Sequence, residues 1–428
     1  MSTPAAGTKN RERRQLPDRR GDFPSLLRRH NGYPLAYLDG PAGTQVPRSV
    51  IDAVADYYSA CNANTHGRFP TSEDSDRLLE EARALAAEFL GAAGAGCISF
   101  GANMTTLNYA LARGVGRMLQ AGDEILVTQL DHEANRGPWL GLREKGIIVN
   151  EIGIHGDATL DYDDFERKVN RRTRLVAMGL ASNAFGTVND VSFARAVTER
   201  AGAWLLVDAV HYAPHFPVDA AAMGVDLLLC SAYKFYGPHV GILYARQGVL
   251  DRLETDRLRT QDQRAPHRIE TGTLNHASIA GMKAAIEFIA SIGSGADRRS
   301  RIVEAMDIIG EHENGLARSL HAGLAEIGGV TFRGPSFESP RRAPTLSFTV
   351  EGMSPAEVCA ALGGKGICAW DGDFYAVRPM EILGLRERGG VTRVGFSLYN
   401  TREEVSRLLA ELEALVPRRT NNPGGTGA

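Results

Sequence analysis

Short runs of consecutive hydrophobic residues alternate with amphipathic stretches through the first two thirds of the chain. Because the runs are apolar at every position, they are typical of strands buried on both faces of a mostly parallel sheet. The seven predicted strands are Cys97–Phe100, Glu124–Thr128, Ile147–Ile152, Leu175–Leu180, Trp204–Val207, Leu227–Cys230 and Gly241–Tyr244. The predicted helices between them are Ser72–Leu90, Thr105–Gln120, Asn135–Lys145, Asp161–Val169 and Val191–Arg200. This alternation predicts an α/β domain with helices on both faces of the sheet.

The pattern changes after about residue 285, where a long amphipathic helix begins a smaller α+β domain. Its predicted elements are helix Arg298–Ile327, strands Val330–Arg333 and Thr345–Val350, helix Pro355–Leu362, strand Val391–Ser397 and helix Arg402–Leu415. Ser354 and Thr401 precede two of these helices and are predicted N-caps. We therefore expect a flexible N-terminus (1–21), a large domain (22–285), a small C-terminal domain (286–417) and a flexible tail (418–428).

Composition narrows the possible functions. The chain is 43% hydrophobic and 23% charged with a net charge of −3, which is ordinary for a globular protein and favours no nucleic-acid partner. No apolar run approaches the roughly 20 residues that cross a bilayer, and no signal peptide is recognisable, so we expect a cytoplasmic protein without membrane contact. The five cysteines form no CxxC pair, which favours reduced thiols and no metal site.

The strongest candidate for chemistry is Lys234, which lies in the sequence SAYKFYGP directly after a predicted strand. Ligands of α/β sheets bind beyond the carboxyl ends of strands, so the position favours a functional lysine over an exposed loop lysine. A lysine acts as a nucleophile or base only as the neutral amine, and apolar or aromatic neighbours lower its basicity.

Asp208 ends another predicted strand, where an unpaired buried carboxylate would be unfavourable. The alternatives are a helix N-cap and an ion pair with a cation such as the protonated pyridine of pyridoxal 5'-phosphate (PLP). Lysine and aspartate at neighbouring strand ends suit that cofactor, which Lys234 would bind as a Schiff base. His211 follows Asp208 and is a candidate partner of the cofactor's phenolic oxygen.

Three further segments place polar groups beyond strand ends. The turn containing Ala102, Asn103 and Met104 leads from a strand into a helix and is a candidate phosphate site. His132 is a candidate for stacking on the pyridine ring, and Asn183 for a hydrogen bond to cofactor or substrate. A common cleft along one edge of the sheet accounts for all of these positions.

With these motifs in place, the chain resembles the class V aminotransferase family of fold-type I PLP enzymes, in its cysteine desulfurase-like branch. The resemblance covers about residues 22 to 416. Its motifs are LDGPAGT (Leu38–Thr44), the turn Gly101–Thr106, DHEAN (Asp131–Asn135), SNAFGT (Ser182–Thr187), VDAVH (Val207–His211), SAYKFYGP (Ser231–Pro238), ETGT (Glu270–Thr273) and RVGFSLYNT (Arg393–Thr401).

The resemblance implies a role for each matching residue. Lys234 matches the Schiff-base lysine, Asp208 the pyridinium partner and His132 the stacking histidine. The other cofactor positions it implies are Ala102, Asn103, Met104, Asn183, His211, Ser231, Tyr233 (a histidine in relatives) and Thr273. Thr273 would reach the phosphate of a neighbouring subunit, which implies a homodimer with shared active sites. Arg393 matches the clamp for the substrate carboxylate, and Ala42, His66 and Asn183 match other substrate-side positions.

Tyr375 departs from the desulfurase pattern because it stands where those enzymes carry a nucleophilic cysteine. A phenol does not accept sulfur as a thiolate does, which disfavours a persulfide relay. We therefore expect β-elimination of the C–S lyase type on a cysteine-like amino acid, with Lys234 as base and Tyr375 or His132 as proton donor. An aminotransferase, an amino-acid epimerase and a non-catalytic PLP-fold binding module are the alternatives.

Overall fold

The computed structural model describes residues 15–338 and 341–416. The predicted flexible tail and residues 1–14 of the predicted flexible N-terminus lie outside the described residues. Three short strands come first along the described chain: β1 (Arg29–His30), β2 (Tyr33–Pro34) and β3 (Ala36–Tyr37). None of the described helices is long and apolar enough to span a lipid bilayer.

A seven-stranded sheet forms the centre of the large domain. Its strands are β4 (Ile98–Gly101), β5 (Glu124–Thr128), β6 (Ile148–Ile152), β7 (Thr173–Gly179), β8 (Trp204–Asp208), β9 (Leu227–Ser231) and β10 (Gly241–Ala245). Their order across the sheet is β4-β10-β9-β8-β7-β5-β6, and only β10 runs antiparallel to its neighbours. The prediction of a mostly parallel seven-stranded sheet in an α/β fold is confirmed.

The helices of the large domain cover both faces of this sheet. They are α1 (Arg48–Ala60), α2 (Pro70–Leu90), α3 (Met104–Met118), α4 (Glu133–Leu140), α5 (Tyr162–Lys168), α6 (Val191–Ala201), α7 (Ala220–Met223) and α8 (His276–Ala290). Successive residues of a strand pack into the two hydrophobic cores on opposite faces of the sheet. In β8, Leu205 packs in one core and Leu206 in the other. Burial on both faces explains why the strands are apolar at every position.

The small domain packs helices on an antiparallel sheet. Its elements are α9 (Arg298–Glu326), β11 (Val330–Arg333), β12 (Thr345–Val350), α10 (Pro355–Gly364), β13 (Ile367–Cys368), β14 (Trp370–Gly372), α11 (Val377–Ile382), β15 (Val391–Gly395) and α12 (Arg402–Leu415). The sheet order is β11-β12-β15-β14. Ser354 and Thr401 cap their helices in capping boxes with Glu357 and Glu404, as the sequence predicts.

The N-terminal segment connects the two domains. Strand β3 pairs with β13 of the small domain, and the Phe23 ring packs against the rings of Tyr236, Phe288 and Tyr399 at centroid distances of 5.8, 5.6 and 4.9 Å. Arg20 donates hydrogen bonds to the carbonyls of Leu35 and Tyr399. The domain division stays a prediction, but Arg20, which the prediction placed in the flexible terminus, is anchored by these contacts. The predicted boundary at 285/286 falls inside α8, which continues to Ala290.

Replacing Phe23 with alanine is expected to lower the free energy of unfolding by about 3–5 kcal/mol, because a fully buried ring leaves a cavity where both domains meet. Chemical denaturation followed by circular dichroism measures the change. Leu27→Ala is the matched control, since Leu27 ends the short helix Pro24–Leu27 that directly follows Phe23 and has 73% of its surface exposed. Its expected change is below about 0.5 kcal/mol. Equal effects of the two substitutions would contradict this account.

Candidate active site

A cavity opens at the carboxyl edge of the large sheet, where strands β8 and β9 end. Its walls come from segments that are far apart in the sequence. Nine of the predicted site residues line it: Asn103, Met104, His132, Asn183, Asp208, His211, Ser231, Tyr233 and Lys234. The common cleft expected from the sequence is therefore present in the fold.

Lys234 lies in a turn of 3-10 helix, Ala232–Lys234, that follows β9. Its side chain is buried, and its ammonium donates a hydrogen bond to the Pro41 carbonyl. Burial, together with the charge of Arg393, lowers the pKa of Lys234 to about 7, although Asp39 and Asp208 oppose the shift. A substantial fraction of the amine is therefore neutral near neutral pH, as a nucleophile or base requires.

Asp208 is the last residue of β8 and is buried against the cavity. One of its oxygens accepts a hydrogen bond from the Val210 N–H at 2.8 Å. Burial raises the pKa of Asp208 to about 7, and the neighbouring carboxyl of Asp131 adds to the rise. A cation placed in the cavity would stabilise the ionised form of this carboxyl.

Two histidines face the cavity as neutral imidazoles. The Nδ1 of His132 accepts a hydrogen bond from the Ala134 N–H at 3.0 Å and so caps α4. Burial lowers the pKa of His132 to about 4 and that of His211 well below its ordinary value. The Nε2 of His211 lies 2.9 Å from the Thr345 hydroxyl, and its Nδ1 is buried without a partner among the described residues. A buried nitrogen without a partner is uncommon in folded proteins, so this one marks a position that a bound group would complete.

The N-terminus of α3 forms one end of the cavity, directly after Ala102. Asn103 caps the helix by accepting a hydrogen bond from the Thr106 N–H at 2.9 Å, and the Met104 N–H donates to the Ser231 hydroxyl at 3.0 Å. Close packing requires glycine at position 241, because a Cβ there would lie 2.4 Å from the Asn103 carbonyl carbon. Such a helix start is a natural site for a phosphate group.

Arg393, on β15 of the small domain, is buried beside Asn183, one of the residues that line the cavity. Its guanidinium donates to Asp39 at 2.9 Å and to the Asn183 carbonyl at 3.1 Å, and it lies 4.0 Å from the Phe374 ring centroid. Sequence reasoning missed both Asp39 and Phe374. Asp39 belongs to the LDGPAGT motif, from which only Ala42 was assigned; the Ala42 N–H donates to the Asp39 carbonyl at 3.1 Å.

Six predicted site residues are not among those that line this cavity: Ala42, His66, Ala102, Thr273, Tyr375 and Arg393. Thr273 and His66 line a separate surface pocket, where the Nδ1 of His66 lies 3.2 Å from the Asp76 carboxylate. Tyr375 lies outside the cavity lining, with 69% of its surface exposed and its ring 5.5 Å from the ring of His132. The position of Thr273 away from the cavity agrees with the expectation that it reaches the phosphate of a neighbouring subunit, which stays a prediction. His66 was expected on the substrate side and lies away from the cavity in the single chain.

Three features of the cavity fit PLP. The cavity offers a buried lysine with a lowered pKa, a buried carboxyl that would gain from a cationic partner, and an unpartnered imidazole nitrogen. The fold and these groups define a PLP-dependent enzyme of fold type I. The sequence model of the family described as aminotransferase class-V matches residues 36–408, so the chain belongs to that family.

Curated relatives and solved structures agree with this assignment. A probable cysteine desulfurase of Halalkalibacterium halodurans is 32% identical over 91% of this chain and 95% of its own length. A cysteine desulfurase of an Enterobacter species is 32% identical over 92% of this chain and 97% of its own. The apo structure of a cysteine desulfurase from Thermococcus onnurineus NA1 superposes with a TM-score of 0.81 at 28% identity, over 92% of this chain and 98% of that chain.

Covalent binding of PLP to the apo-protein is expected to accelerate with a midpoint near pH 7, because only the neutral Lys234 amine attacks and its pKa is about 7. An ordinary lysine would give a midpoint near 10.5. Stopped-flow absorbance of cofactor uptake across pH measures the midpoint. Asp39→Asn should move it to lower pH, since the Asp39 charge favours the ammonium. A midpoint near 10 in the unmodified protein would refute the account.

Proposed function

We propose that this enzyme catalyses β-elimination on a cysteine-type amino acid, releasing the sulfur substituent as a thiol together with pyruvate and ammonia. The observation that carries the proposal is the buried Lys234 amine, neutral near physiological pH, beside Asp208 in a site without an activated thiol. When bound, PLP supplies an electron sink for the bonds at the α-carbon.

Each of the chain's own groups has a part in this reaction. Arg393 binds the substrate carboxylate with Asn183 alongside, and Lys234 removes the α-proton. With PLP bound, the carboxylate of Asp208 would keep a proton on the cofactor's ring nitrogen, and His132 would be available to stack on the ring. The helix start at Asn103 and the Ser231 hydroxyl lie where the phosphate would be held.

The state of the cysteines supports elimination over a persulfide relay. Burial raises the pKa of every cysteine in the chain, so none is poised as a thiolate. The five are Cys61, Cys97, Cys230, Cys359 and Cys368. A persulfide relay needs a thiolate that attacks sulfur, whereas elimination needs only a base and a proton donor.

The elimination balances without an oxidant or reductant. The Cα–H and Cβ–S bonds break, the proton moves to Lys234, and the sulfur leaves with its bonding electrons. Lys234, protonated by that step, can return the proton to the departing sulfur. Water then completes the conversion of the remaining three-carbon unit to pyruvate and ammonia. Burial lowers the pKa of His132 to about 4, which disfavours this histidine as the donor.

Two further parts of the proposal concern assembly and alternatives. A homodimer would bring Thr273 and His66 of one subunit to the cavity of the other, since both lie away from Lys234 in the single chain.

Transamination, epimerisation and ligand binding without turnover would use the same cavity. The products formed from one substrate separate these possibilities from elimination.

Incubation with cysteine and S-substituted cysteines is expected to yield equimolar pyruvate, ammonia and thiol, measured by a coupled dehydrogenase assay and thiol titration. Lys234→Ala should lower the rate by about 10²–10⁴-fold or more, because the base is lost. Lys145→Ala, at an exposed lysine, and the double variant Cys359→Ser/Cys368→Ser should retain the rate. Formation of alanine that depends on a cysteine would instead identify a desulfurase and overturn the proposal.

A further inference from the structure

Two consecutive residues beside the cavity adopt a backbone conformation that side-chain-bearing residues rarely occupy. Phe374 has a φ of 57° and Tyr375 a φ of 59°, both in the left-handed region. Neither glycine nor asparagine stands at these positions, although those residues tolerate the conformation best. A bulky pair held this way is strained, and such strain persists where surrounding contacts over-determine it, which is typical of functional segments.

The contacts that hold this pair lead to the walls of the active site. The Phe374 carbonyl accepts a hydrogen bond from the Asn183 side-chain amide at 2.9 Å, and the Tyr375 carbonyl accepts one from the Glu133 N–H at 2.8 Å. The Tyr375 N–H donates to the Asp373 carboxylate at 2.9 Å. The pair is therefore anchored beside Asn183 and His132, both of which line the cavity.

The two rings that the strained backbone directs have different surroundings. The Phe374 ring is buried with Leu130 and Ala184 and lies against the guanidinium of Arg393. The Tyr375 ring lies beside His132 but remains largely exposed. The same short segment thus contacts Arg393, which would bind the substrate carboxylate, through the Phe374 ring. It also exposes the ring of Tyr375 close to the site.

We infer that Phe374–Tyr375 is the specificity element of the site: Phe374 fixes Arg393, and the Tyr375 ring packs against an apolar or aromatic substituent on the substrate sulfur. The preferred substrate class is then S-substituted cysteines with bulky apolar groups, which would bind more tightly than free cysteine. The assignment of a sulfur-bearing amino acid rests on the proposed function. Tyr375 acts through its ring, not through its hydroxyl.

Charge and size at this position support that class of substrate. A free thiol would leave the Tyr375 ring uncovered, whereas an apolar group would remove the ring from water. An anionic substituent would approach the carboxylate of Asp373, which bonds the Tyr375 N–H. The neighbouring His132 is uncharged at neutral pH because burial lowers its pKa to about 4, so it offers no compensating cation.

Binding of an unreactive ligand tests this inference without turnover. The des-amino analogue of S-benzyl cysteine keeps the carboxylate and the apolar group but has no amine to react with the cofactor. Isothermal titration calorimetry on the holoenzyme compares it with the des-amino analogue of S-methyl cysteine. We expect the benzyl ligand to bind at least about tenfold more tightly than the methyl ligand to the unmodified protein.

Two variants at position 375 separate the ring from the hydroxyl and from the backbone. Tyr375→Phe should keep the benzyl preference, whereas Tyr375→Asn, which tolerates the left-handed conformation, should lower benzyl affinity by about tenfold and leave methyl affinity nearly unchanged. An unchanged benzyl preference in Tyr375→Asn would overturn the inference. Equal weakening of both ligands would also overturn it, because it would indicate a purely structural role.

The outcome is separable from that of the proposed function. If the unmodified holoenzyme forms no pyruvate from any S-substituted cysteine, elimination is wrong, yet the calorimetric preference still decides the role of the ring. If pyruvate forms but Tyr375→Asn leaves the benzyl preference intact, elimination stands and the specificity element is wrong. Loss of turnover in Tyr375→Phe with the preference retained would assign the hydroxyl to catalysis and contradict the claim that only the ring acts.

Discussion

Burial of a lysine at the carboxyl edge of the sheet is the constraint on which the site depends. A primary amine taken from water loses its preference for the charged form, and the guanidinium of Arg393 adds to that loss for Lys234. Burial has the opposite effect on the pKa of a carboxyl group, and it raises the pKa of Asp208 to about 7. The fold therefore holds a base and an acid whose protonation states are finely balanced, which suits a cofactor with a cationic ring.

This balance requires contributions from three parts of the chain. Lys234 and Asp208 come from the large sheet, Arg393 from the small domain and Asp39 from the N-terminal segment. The Asp39–Arg393 pair limits how strongly the arginine disfavours the lysine's charge, because the two ions act on Lys234 with opposite sign. Phe23 and β3 anchor the N-terminal segment that carries Asp39. These contacts therefore stabilise the fold and also hold the Asp39 charge near Lys234.

Much of the fold could be predicted because its signal is local. Strands buried on both faces must be apolar throughout, and the helix starts at Ser354 and Thr401 carry capping boxes in their own sequence. Strand β14 was missed because it is only three residues long and begins with the exposed Trp370. The role of Asp39 was missed because its partner Arg393 is 354 positions away, and no local pattern encodes that pairing.

The left-handed backbone conformation of Phe374 and Tyr375 could not be predicted from the sequence, because both residues rarely adopt that conformation. Tertiary contacts with Asn183 and Glu133 override their local preference. The resemblance to desulfurases implies a nucleophilic cysteine where Tyr375 stands, and the cysteines present have raised pKa values through burial. In the proposed reaction, a site with this strained aromatic pair and no activated thiol would depend on Lys234 for the chemical step and on Phe374–Tyr375 for recognition of the substrate.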